Sequence, residues 1–383
     1  MPEYNGKSIV NLMSSLQIAC GTKPVYPKLK NINSEYLSEK KNILLIVLDG
    51  LGYDYIVDYG KGTLFDHHMD TKLTSVFPST TASAITTFSS GVAPQEHAIT
   101  GWFMYFREVA AASLILPFCP RYSGVSYELN GIKTDRIFNF PSIYPALKRE
   151  KYVVTPKYIK NSPYNNYSLK DTERLGYTKL SGFTRSISKI IKKSRGKSFI
   201  YAYWPDFDKN CHRYGVNSEP SFRHFKQLDK SLNSLFKRLQ GTDTTCIITA
   251  DHGLIDTIPE RVLSTDDFPE FKDMLILPLC GEPRVPYCYV KASRKIDFQN
   301  YVEENMSQIC DLHTSDSLIK KGYFGLKDEN PKLRDRLGDY ILIMKENYVL
   351  HDWVAGEKPF NFIGYHGNLT SEEMYVPLIK LDL

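Results

Sequence analysis

The chain has 383 residues, of which 42% are hydrophobic and 24% charged, with a formal net charge of +5. That composition excludes a disordered or fibrous chain, and the length allows a large α/β core with insertions rather than one simple small domain. Tyr and Phe number 26 and 20, but they are spread along the chain and form no RNA-binding motif.

At the N-terminus, "MPEYNGKSIVNLMSSLQIACG" lacks the unbroken apolar stretch of a secretory leader. The longest apolar run, Val109–Phe118, is about half of the roughly 20 residues that a spanning helix needs. The seven cysteines (20, 119, 211, 246, 280, 288 and 310) are scattered and contain no CxxC pair. They suggest neither a disulfide framework nor a zinc ribbon, and a reducing, cytoplasmic setting is expected.

"NILLIVLDG" (42–50) is a continuous apolar run stopped by Asp-Gly, the pattern of a strand buried on both faces of a parallel sheet. "SVFPSTTASAITTFSSG" (75–91) sets hydroxyl residues before an apolar helical pattern. Such hydroxyls ordinarily cap a helix. A second reading makes a Thr at that helix start a nucleophile, with its hydroxyl held where phosphate oxygens can bind. Residues 100–195, with "NSPYNNYSLKD", and residues 255–350, with the Pro-rich "LPLCGEPRVPYCYV", fit a core poorly. Both are expected to contain inserted or cap segments over the sheet's carboxyl edge. The whole chain, 1–383, is otherwise expected to form one catalytic domain.

The basic stretch Ser188–Ser198 reads as a solvated helix end, and no nucleic-acid partner is expected. "KSFIYAYWPDFD" (197–208) and "TTCIITADHG" (244–253) are two further strands that end in acids, with the helical pattern 221–241 between them. Strand–helix–strand order of this kind implies right-handed crossovers and a doubly wound, mostly parallel α/β sheet, whose site lies at the carboxyl ends of the strands.

Asp49, Asp208, His212, Asp251 and His252 all fall at or just past strand ends, and His366 sits in the Gly-flanked "GYHGNLT". Singly, each has an ordinary explanation as a cap or turn residue. Together, three carboxylates and three imidazoles form an inventory for two Zn²⁺-like ions with mixed oxygen and nitrogen ligation. Paired ions of that kind act as a clamp for in-line displacement at phosphorus.

The ordered set "VLDGLG", "FPSTTAS", "DKNCHRYG", "ADHG" and "GYHGNLTSEEMYVPL" resembles the alkaline phosphatase superfamily, and within it the type I phosphodiesterase/nucleotide pyrophosphatase family. The resemblance implies that Asp49, Asp251 and His252 hold the ion on the nucleophile's side, and that Asp208, His212 and His366 hold the other. The family spacing of Asp, three residues, His selects Asp208 over Asp206. The family nucleophile stands three residues after the Pro, which from Pro78 is Thr81, itself a metal ligand. The implied reaction is hydrolysis of phosphodiester or pyrophosphate bonds in small molecules through a phospho-threonine intermediate. The alternatives are a phosphomonoesterase or a phosphonate hydrolase of the same superfamily. Family members that cleave nucleotide diesters carry an Asn about twenty residues past the nucleophile. Trp102 stands there in this chain, which leaves Trp102 and Arg107 as the candidate substrate contacts.

Overall fold

The computed structural model describes residues 1–357, 359–360 and 362–383. Seven strands form the main sheet, in the order Met69–Thr74, Tyr375–Asp382, Thr244–Thr249, Asn42–Leu48, Ser198–Trp204, Glu150–Pro156, Glu173–Tyr177. Every pair from Thr244–Thr249 to Glu173–Tyr177 is parallel, and only Tyr375–Asp382 runs against its neighbours. The three inner strands are buried at every position, as parallel strands covered by helices on both faces must be. The doubly wound, mostly parallel α/β architecture is therefore as expected.

The helix Glu219–Leu239 lays Phe225, Leu228, Leu232 and Leu235 on the sheet at helical spacing. The helix Leu180–Lys193 buries Phe183, Ile187 and Ile191 and places Lys192 and Lys193 in its last turn. The basic stretch thus complements a helix C-terminus, where cations are favoured. The N-terminal helix Ile9–Ala19 is buried and packs against the helix Thr81–Ser90. Among the described residues no helix is long and apolar enough to cross a membrane.

A second seven-stranded sheet, antiparallel throughout, runs Cys310–Thr314, Tyr340–Met344, Val285–Cys288, Cys280–Glu282, Phe103–Phe106, Ala111–Leu114, Cys119–Pro120. It draws on both stretches that read poorly as core. The two halves meet at Gly281 opposite Phe103, where a Cβ on Gly101 would lie 2.8 Å from the Gly281 Cα. The first stretch also needs a boundary correction. Residues 150–156 and 173–177 are strands of the main sheet, so that part of 100–195 is core rather than insertion.

Candidate active site

Strand register brings the first acids together. Val47 lies opposite Thr249, so Asp49 and Asp251, each two residues further on, emerge side by side at the carboxyl edge. Leu48 lies opposite Trp204, and the chain then turns into the helix Asp206–Tyr214. The Asp208 amide donates to the Asp49 carbonyl at 3.1 Å, which fixes the start of that helix over the central strand. Asp208 and His212 share one helix face at a spacing of four. His212 Nε2 lies 3.2 Å from Asp208 Oδ2.

The helix Thr81–Ser90 opens from an extended Thr80 (φ −137°, ψ 152°) and closes on Gly91 at φ 71°, a left-handed cap that favours glycine. No side chain caps its first turn. Thr81 Oγ1 instead lies 3.0 Å from His252 Nε2 and 3.5 Å from Asp49 Oδ1. The loop carrying His366 is tied to this helix start, because Ser79 donates through N to the Gly367 carbonyl (3.2 Å) and through Oγ to the Asn368 carbonyl (2.6 Å). Asp206, by contrast, is partly exposed and pairs with Lys209 at 3.1 Å.

Two clusters of ligand-type atoms result. Asp49, Asp251 and His252 each offer an atom within 4.8 Å of the others, and so do Asp208, His252 and His366. His252 thus stands between the clusters, its ring stacked on His366 at 3.8 Å. Outer hydrogen bonds orient the imidazoles. His212 Nδ1 faces the Gly364 carbonyl at 2.8 Å and His252 Nδ1 faces the Gly253 carbonyl at 3.0 Å, so each Nε2 is directed at the carboxylates. Asp251 Oδ1 accepts from the Gly50 and His252 amides, both at 3.0 Å.

The chemistry of this donor set fits cations. Asp208 Oδ1, Asp251 Oδ2 and His366 Nδ1 are buried with no hydrogen-bond partner, a costly arrangement unless something else satisfies them. Burial, reinforced by the charges of Asp251 and Asp208, pushes the Asp49 carboxyl well above its ordinary range. Burial likewise drives His366 down, with His252 adding to the effect. Burial would also raise Asp208, but His212 outweighs it and holds that carboxyl low.

The clusters open into a cavity of about 600 Å³. Its walls are largely aromatic and aliphatic, with Trp102, Phe103, Tyr158, Tyr164, Phe360 and Phe362 among them. Trp102 therefore does face the site. Arg107 does not: its side chain is 74% exposed and pairs with Asp335 at 3.3 Å, because its short helical turn lies on the outer surface of the second sheet.

Two site residues escaped the sequence reading. Tyr203 donates its hydroxyl to Asp49 Oδ2, and the signal for it was a polar-tipped residue at the end of an otherwise apolar strand. Glu282 lines the cavity and accepts at Oε1 from Thr80 Oγ1 (2.6 Å) and the Trp102 amide (2.7 Å). Burial pushes its carboxyl up to about 7. An acid enclosed by "LC" and "PRVPY" was its only signal.

The sequence matches the model of the type I phosphodiesterase / nucleotide pyrophosphatase family over residues 43–367. Comparison with curated protein sequences gives no match. Among solved structures, murine ectonucleotide pyrophosphatase/phosphodiesterase 5 superposes with a TM-score of 0.65 at 16% identity, covering 89% of this chain and 87% of that one. An inactive threonine-to-alanine form of the murine protein, in complex with AMP, gives 0.66 at the same identity and coverage. Phosphonoacetate hydrolase from Sinorhizobium meliloti, in complex with phosphonoformate, gives 0.64 at 16% identity, covering 89% and 90%.

Proposed function

The chain belongs to the type I phosphodiesterase/nucleotide pyrophosphatase family, a family of hydrolases, and from that premise we propose that it cleaves phosphodiester or pyrophosphate bonds in small molecules with Thr81 as nucleophile. The observation that carries the reading is Thr81 Oγ1, 3.0 Å from His252 and 3.5 Å from Asp49, at a helix start facing a cavity. In our reading two divalent ions are held, one by Asp49, Thr81, Asp251 and His252 and the other by Asp208, His212 and His366. Ions of this type, zinc being the one we propose, lower the pKa of a bound hydroxyl and stabilise charge on phosphoryl oxygens.

The remaining work falls to the chain's own groups. The Thr81 hydroxyl gives its proton to solvent and Oγ1 attacks phosphorus, breaking the bond to a leaving group that departs as phosphate or takes a proton from solvent to become an alcohol, and leaving a phospho-threonine. Water then attacks phosphorus in turn and frees Thr81, so displacement occurs twice. The first-turn amides of Thr81–Ser90, left without a side-chain cap, suit phosphoryl oxygens at a helix N-terminus. Tyr203 fixes the Asp49 carboxylate, and the aromatic wall around Trp102 offers a surface for an organic substituent. The inactive threonine-to-alanine form of the murine structural neighbour supports a threonine in this role.

The absence of Arg or Lys from "STTASAITTFSSG" favours diesters over the more highly charged monoesters. The likeness to a phosphonoacetate hydrolase fold keeps phosphonates as the second reading. A cytoplasmic setting completes the proposal, supported by seven cysteines that are all buried and unpaired. The deciding experiment is a substrate panel on metal-reconstituted protein, with aryl phosphodiesters, monoesters, dinucleoside polyphosphates and phosphonates. Turnover of phosphonates alone would overturn the phosphodiesterase assignment.

A further inference from the structure

Among the described residues, Glu282 is the one acid lining the cavity that belongs to neither ligand cluster. It is 5% exposed and ends the strand Cys280–Glu282 of the second sheet. Its position beside the reacting centre is fixed from three directions. Thr80, the neighbour of the nucleophile, donates to Oε1 at 2.6 Å. The Trp102 amide donates to the same oxygen at 2.7 Å. Gly367, the residue after His366, packs so closely that a Cβ there would lie 3.0 Å from the Glu282 Cβ.

From this geometry we infer that Glu282 determines specificity, setting a fixed negative charge beside the phosphoryl position and so favouring singly charged phosphodiesters over doubly charged phosphomonoesters. The inference rests on the reading of Thr81 as nucleophile. Burial pushes this carboxyl up to about 7 against the opposing effect of its two donated hydrogen bonds, so the carboxylate prevails above pH 7, where the test is run. Among the described residues no Lys or Arg forms an ion pair with Glu282. Lys209 at the cavity wall is held by Asp206 and the Tyr158 hydroxyl, and Arg284 is turned to Glu373 at 2.9 Å. The Thr80 hydroxyl and the Trp102 amide are moreover engaged by Glu282, so neither serves a phosphoryl oxygen. Beside largely apolar walls a like charge is repelled more strongly than in open water. A monoester dianion brings its second charge to this place, whereas a diester can turn an uncharged ester oxygen or its organic group there.

The test uses an aryl phosphodiester and an aryl phosphomonoester with the same leaving group, on metal-loaded full-length protein. Glu282→Gln removes the charge but keeps an oxygen that accepts from Thr80 and Trp102. The ratio of kcat/KM for diester over monoester is expected to fall at least tenfold, mainly through a gain on the monoester, and Glu282→Asp is expected to keep the wild-type preference. A ratio unchanged within twofold, including a parallel loss on both substrates, overturns the inference and leaves Glu282 a structural residue. If Glu282→Gln fails to fold, inhibition of the wild type decides. Inorganic phosphate as the dianion should inhibit at least tenfold more weakly than a monoanionic dialkyl phosphate, and equal inhibition overturns the inference. Failure of the underlying reading looks different: the wild type would then turn over no diester, or Thr81→Ala would retain that turnover.

Discussion

Replacing Thr81 by Ala separates two tasks open to the same hydroxyl, and the structure sets a different size for each. As a structural group the Thr81 hydroxyl contributes little, since no side-chain cap bond is made at this helix start. Its loss, with that of one methyl group at a site 8% exposed, should cost about 1–2 kcal/mol of stability. As a nucleophile held 3.0 Å from His252 it should be worth far more, on the order of 10³-fold in kcat/KM, or about 4 kcal/mol of barrier. Thr80→Ala reverses the pattern. It leaves a buried Glu282 oxygen short of a donor, at about 1–3 kcal/mol of stability, while turnover should stay within about tenfold of wild type. Urea unfolding and kcat/KM on an aryl diester measure both quantities, and acid quenching during turnover should trap phosphate on the peptide containing Thr81. Thr81→Ser should recover part of the lost rate. If Thr81→Ala retains a tenth of the activity while Thr80→Ala loses it, the nucleophile has been assigned to the wrong hydroxyl.

Elemental analysis of fully loaded protein should give two ions per chain, and Asp208→Asn should remove one of them while Asp206→Asn, whose partner is the surface Lys209, removes none. Tyr203→Phe strips the hydroxyl that orients Asp49, and titration against a competing chelator should show one ion bound roughly 10–100-fold more weakly; unchanged affinity would refute that orienting role. His97 accepts from the Ile99 amide at Nδ1 (3.0 Å), and burial lowers its pKa to about 3. Its contribution to stability is therefore complete above the ordinary His value and is lost as the pH falls toward about 3. The stability advantage of wild type over His97→Gln should shrink by about 2 kcal/mol between pH 7 and pH 5, and a pH-independent difference in urea unfolding would contradict a neutral, buried imidazole.

The site was legible where the chemistry follows from strand ends. Asp49 and Asp251 close two apolar runs, and parallel pairing brings such ends to one edge without further information. His366 depended on its motif, since a His between Gly residues has no periodicity to reveal it. What stayed hidden was non-local. Gly281 pairs with Phe103 across a long separation in sequence, and neither segment carries a signal for the other, so the second sheet could not be read as one object. The strand Glu150–Pro156 begins with three half-buried residues because it lies near the open side of the sheet, and it therefore lacks the solid apolar run of its inner neighbours. Arg107 was read from nearness in sequence to Trp102, but the intervening strand carries it out to the surface.

The placement of Tyr375–Asp382 bears on how the protein is made. This strand does not border the sheet; it fills the gap between Met69–Thr74 and Thr244–Thr249. Until it docks, the fully buried strand Thr244–Thr249 presents an unpaired edge, the kind of surface on which chains join one another. The loop bearing His366 leads through the helical turn Ser371–Met374 into this strand, and the Glu373 carbonyl in that turn accepts from the amide of Gly253, beside His252. Closing the sheet thus also brings the candidate ligand His366 into place. Before Tyr375–Asp382 docks, the folding chain carries both an exposed apolar edge and an incomplete candidate site, and dependence on chaperones should be concentrated in that stage.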